Sequence, residues 1–90
     1  MAKRKKNPRL RRALLAVVEN QVRHNTPPET RATLDRLLAE GFSRQKALEL
    51  IACVVTSEMF DVLKNKQPYQ EARYIAALRA LPRMPWENEK

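Results

Sequence analysis

Residues 51–63, IACVVTSEMFDVL, decide the fold. Ile51, Val54, Val55 and Val62 recur at three- and four-residue steps, the spacing of one face of an α-helix. Leu48, Ala52, Met59 and Leu63 widen that face beyond the usual apolar arc of about 100°. A helix this apolar is central to its domain or shared with a second chain. In its middle stands Glu58, on the inward arc between Ile51 and Val62. A carboxylate placed there must find a partner or lose its charge, because an unpaired buried anion is too costly to keep.

Outward from this stretch the pattern remains helical. Upstream, the chain's only glycine, Gly41, precedes Phe42 and Ser43. That order ends one helix on a left-handed residue, folds Phe42 back on it, and caps the next through the serine hydroxyl. The third helix therefore runs over about 44–65. Before it, Leu34, Leu37 and Leu38 mark a second helix over about 27–40, with Thr26 and Glu29 spaced as a capping box and Pro27 at its first position. Leu10, Ala13, Leu14, Val17 and Val18 define the stripe of a first helix over about 8–24, capped by Asn7 and Pro8. Continued at 100° per residue, that stripe carries Gln21 near its centre and His24 near its edge. Downstream, Tyr74, Ile75, Leu78 and Leu81 mark a fourth helix over about 70–81, which Pro82 ends.

The fold class expected is all-α: a compact four-helix bundle over residues 8–81, with a basic arm at 1–7 and a short Pro/Trp tail at 82–90. Ninety residues suit one domain and one core. With 43% hydrophobic but only 6% aromatic residues, that core is built largely from Leu, Ile, Val and Ala. A β-sandwich needs turn residues every ~8–12 positions, and this chain does not supply them.

The formal charge of +8 is not spread evenly. Lys3, Arg4, Lys5, Lys6, Arg9, Arg11 and Arg12 are seven of the 18 basic residues, and no acid lies among them. Such an arm attracts a nucleic acid or an acidic protein surface through residues 2–12. No aromatic is interleaved to stack on bases. The bland alternative is a solubilising tail.

Three polar groups, Gln21, His24 and Glu58, are expected to form a buried cluster in which Glu58 accepts bonds from Gln21, His24 or a long arginine such as Arg31. The plain reading is a network that fixes helix register. The sharper one is a metal site drawn from Glu19, Glu49, Glu58 and His24, since carboxylates and imidazole are ligand types. Gln45, Glu49 and Cys53 form a second row at four-residue steps, short of the ligands a closed zinc site needs. His24 and Cys53 have no third member to make a nucleophile and base, and one glycine provides no phosphate-cradling loop. No catalytic residue and no cofactor is expected, so the chain reads as a binding module rather than an enzyme. Phe60 and Cys53, outward on the third helix, would suit a homodimer if the fourth helix does not cover them. Met84 and Trp86 are expected to pack back over the bundle. The lone cysteine and the lack of an ~18-residue apolar run point to a cytoplasmic protein without a membrane span.

The segments VVENQ (17–21), PPET (27–30), RLLAEGFSRQKALELI (36–51) and PYQEARYIAALRALP (68–82) resemble a family of short all-helical bacterial proteins of unknown function. Members of that family often carry histidines on the first and third helices, including a pair four residues apart. Here Gln45 and Glu49 stand in those places, while Glu19, Gln21 and Glu58 match. The resemblance implies the helical fold, and the missing histidines weaken the metal-binding expectation.

Overall fold

Residues 8–84 are described by the computed structural model, and they form four helices with no strand among them: α1 Pro8–His24, α2 Pro28–Ala39, α3 Arg44–Asn65 and α4 Glu71–Ala80. The all-α expectation holds, and α1 and α3 have the predicted limits. The arm residues Lys3, Arg4, Lys5 and Lys6, the Asn7 cap and Trp86 of the tail lie outside the described residues. None of the helices described is long and apolar enough to cross a membrane.

The centre of the bundle is α3, which packs against each of the other three helices. Its buried side is Ala47, Leu48, Leu50, Ile51, Val54, Val55 and Glu58. Val18 from α1, Leu34 and Leu37 from α2, and Tyr74, Leu78 and Leu81 from the last segment close the core around it. Because α1 packs chiefly on α2 and α3, part of its predicted stripe stays in solvent: Leu10 and Val17 are exposed. Met59 and Leu63 are exposed too, so the wide apolar arc of α3 is only partly covered.

The link between α2 and α3 follows the sequence closely. Gly41 takes φ +103°, its amide donates to the Leu38 carbonyl at 3.0 Å, and the Phe42 amide donates to the Leu37 carbonyl at 3.1 Å. These two bonds satisfy carbonyls that a helix end otherwise orphans. Phe42 then packs on the core, and Ser43 Oγ accepts from the Lys46 amide at 3.1 Å.

The link between α1 and α2 departs from expectation. The same C-terminal motif recurs there on Asn25, at φ 54°, with Asn25 N–H donating to Val22 O and Thr26 N–H donating to Gln21 O. A capping box would need that Thr26 amide for the Glu29 carboxylate. Since α1 already claims it, no box forms: α2 begins one residue later, after Pro27, without a side-chain cap. The Thr26 hydroxyl instead donates to the His24 carbonyl at 2.9 Å.

The far end of α4 is held by a residue of α2. Arg36 donates through Nη1 to the Leu81 carbonyl at 2.9 Å and through Nη2 to the Leu78 carbonyl at 3.1 Å. A guanidinium at a helix C-terminus satisfies orphan carbonyls and meets the negative end of the helix dipole.

Candidate functional site

Glu58 is buried, with 6% of its surface exposed. Its partner is Arg73 on α4, whose Nε donates to Oε1 at 3.1 Å and to Oε2 at 3.2 Å. Neither Arg31 nor His24 reaches it. His24 lies exposed at the end of α1, with Nδ1 3.0 Å from the Asn20 carbonyl oxygen. The reason is positional: the stripe of α1 runs out at His24, and the left-handed Asn25 turns the chain away before a neighbour can cover the ring. Of the cluster expected, Gln21 and Glu58 line one cavity but share no hydrogen bond among the described residues, and His24 stands apart.

Gln21 has its own partners. Its Oε1 accepts from the Tyr74 hydroxyl and from Thr30 Oγ1, each at 2.8 Å. Thr30 is fully buried and Tyr74 nearly so, so the amide oxygen ties α1 to α2 and α4 at one point. Burial pushes the Tyr74 phenol above the ordinary tyrosine range, while its bonds to Thr30 and Gln21 pull the other way. Gln21, Glu58 and Tyr74 then share a pocket of about 350 Å³ with Met59, Leu63 and Tyr69. Arg73 Nη2 is buried beside this cluster and has no hydrogen-bond partner among the described residues.

The chemistry available there is that of a lock. The carboxylate is already neutralised, the phenol is an engaged donor, and no imidazole or thiol stands nearby to act as base or nucleophile. Sequence reasoning missed Arg73, Thr30 and Tyr74 as partners. The available clue was weak: Arg73 falls one turn before Ala77 on the inner half of the fourth helix.

The residues proposed as metal ligands are separated, each with a partner of its own. Glu19 accepts both guanidinium arms of Arg44, each at 3.1 Å, and that hydrogen-bonded arginine holds its carboxyl below the ordinary carboxylate value. Glu49 pairs with Arg11 and accepts from Gln45 Nε2 at 3.0 Å. Among the described residues, no group of three or more His, Cys, Asp or Glu side chains is placed to hold a metal ion.

On the opposite side of α3, Cys53 and Phe60 border a groove against α1. Arg9, Arg11 and Arg12 lie exposed at the start of α1, whose first turn contains no acid. Glu49 matches Arg11, whereas Arg9 and Arg12 form no ion pair among the described residues. The remaining bridges, Arg36–Glu40, Arg44–Glu19 and Arg73–Glu58, all lie within the body of the bundle. Residues 13–90 hold 11 basic and 10 acidic side chains, so the cationic excess lies at the start of the chain, up to the first turn of α1.

Compared with known proteins, the chain matches no family model, no curated protein and no solved structure.

Proposed function

We propose that the protein is a non-enzymatic helical binding module that takes an acidic partner on the start of α1 and the basic residues preceding it. The observation that carries this reading is the exposed trio Arg9, Arg11 and Arg12, of which Arg11 alone is paired, with no acid in the first turn, on a chain whose residues 13–90 carry 11 basic against 10 acidic side chains. Charge so placed raises the local concentration of a polyanion and speeds its encounter. The internal polar cluster supports the same reading indirectly, because the Glu58 carboxylate, the Gln21 amide oxygen and the Tyr74 hydroxyl are hydrogen-bonded within it.

The test is a fluorescence anisotropy titration of the full chain with a labelled single-stranded oligonucleotide and with labelled polyglutamate, across a salt series. Both affinities fall with salt, and Arg9→Glu with Arg12→Glu weakens both. Removing residues 2–6 deletes four cations and lowers the oligonucleotide salt slope by about 3. Affinity that ignores salt, the double substitution and the deletion refutes the reading.

A further inference from the structure

The groove between α1 and α3 has a volume of about 720 Å³ and is walled by Leu10, Leu14 and Leu15 on one side and Ala52, Cys53 and Phe60 on the other. It is open rather than enclosed: Leu10 is 51% exposed and Phe60 59%. The two helices run antiparallel, as Arg11 meets Glu49 while Glu19 meets Arg44. From Glu49 to Phe60, both on its border, α3 rises roughly 16 Å, or three helical turns. The trough thus has the length of a short helix, not of a single side chain.

Among the described residues that line it, the one acid, Glu49, is paired with Arg11. Arg12 lies one turn before Leu15, and the Lys64 ammonium sits 5.5 Å from the centroid of the Phe60 ring. An occupant must therefore offer apolar side chains to the floor and negative charge to the margins.

We infer that this groove binds one amphipathic helix of an acidic protein, with apolar anchors at i, i+3 or i+4 and i+7 and carboxylates facing Arg12 and Lys64. This rests on the acidic-partner reading and narrows it to a class of partner. A nucleic acid would leave the leucine wall without an apolar complement. A second copy of this chain would bring two cationic α1 starts together across a two-fold axis, where like charges oppose docking.

The experiment is fluorescence anisotropy on the full chain with a labelled acidic peptide of three to four helical turns, carrying leucines at that spacing. A peptide of the same composition with the leucine stripe scrambled is the comparison, and a single-stranded oligonucleotide is the competitor. The striped peptide binds about tenfold tighter than the scrambled one. Phe60→Gln and Leu10→Gln, at exposed positions, each remove most of that advantage while the circular dichroism melt stays in place. Equal affinity for the two peptides, falling with salt, overturns the groove and leaves the cationic reading standing. Loss of salt dependence for every anion overturns that reading instead. Three further results reassign the groove and overturn the inference: an oligonucleotide whose own binding weakens with Phe60→Gln, a doubled mass in light scattering that the same variant abolishes, and peptide binding seen only after residues 85–90 are removed.

Discussion

Replacing Arg73 by Met strips the guanidinium from Glu58 while keeping much of the side chain's length. The Glu58 side chain is 8% exposed and that of Arg73 35%, so the pair lies between two known regimes. Removing one partner of a fully buried pair costs about 3–5 kcal/mol, whereas an exposed pair contributes about 0.2–1 kcal/mol. The bonds lost are charge-assisted, and one such bond contributes about 1.5–3 kcal/mol before solvent discounts it. Arg73 can shed part of that cost to water, but Glu58 cannot follow it out. The expected loss is about 2 kcal/mol, a substantial part of the roughly 5–15 kcal/mol that holds a domain folded. Urea unfolding followed by far-UV circular dichroism measures it, as a lower midpoint with an unchanged m value. Adding Glu58→Leu to Arg73→Met removes the stranded charge, so the double variant is more stable than the sum of the single losses predicts, by about 1–2 kcal/mol. A loss below about 0.5 kcal/mol for Arg73→Met, or strict additivity in the double variant, would show that Glu58 does not depend on this partner.

Other parts of the fold make separate commitments. Arg36→Ala releases the carbonyls of Leu78 and Leu81 and costs about 1–2 kcal/mol, with hydrogen-exchange protection falling first in the last turn of α4. Gly41→Ala meets no atom within 4 Å of the added carbon, so its cost of about 1 kcal/mol is backbone strain alone, read as a lowered thermal midpoint without a change in oligomeric state. Tyr74 gives a dependence on alkaline pH. Its phenol is raised from the ordinary value of 10.0, so the folded chain keeps a proton that the unfolded chain releases, and stability falls as pH rises past that value. Tyr74→Phe flattens that fall, and an unchanged slope would contradict the assignment.

Much of the bundle was legible because the relevant physics is local. Gly41, Phe42 and Ser43 carry a helix stop and a helix start within three residues, and the structure uses each in the role its backbone or hydroxyl suits. The inward setting of Glu58 was readable from the positions of Ile51 and Val62 on the same wheel. Its partner was not, since a helical wheel gives the face of a residue but not the rotation or height of the helix opposite. Arg31 and Arg73 are equivalent in such a reading, and only packing of α4 on α3 distinguishes them. Arg36 was illegible for the same reason: its carbonyl acceptors, on Leu78, Arg79 and Leu81, lie more than 40 residues away in sequence. The capping box failed through competition, as Thr26 offers one amide to two claimants and the end of α1 holds it.

These two limits, local patterns that are readable and rotations that are not, meet in α3. Glu58 and Phe60 are two residues apart and hence about 200° around the helix, which sends one into the core and the other to the groove. The α3 residues on the groove, Glu49, Ala52, Cys53, Thr56, Ser57 and Phe60, spread over about 140°, and none of them lines the cavity beside Glu58. The helix backbone between the two faces is continuous, and no hydrogen bond or ion pair joins the two sets among the described residues. Substitutions on the two faces should therefore act independently, as distant sites do. Arg73→Met lowers the urea midpoint while the striped acidic peptide keeps its affinity within about twofold below the transition, and Phe60→Gln does the reverse. Combining them reproduces both losses without interaction. If Arg73→Met alone released the peptide from a chain still folded by circular dichroism, the groove would depend on the seating of α4 and the separation of the two faces would be wrong.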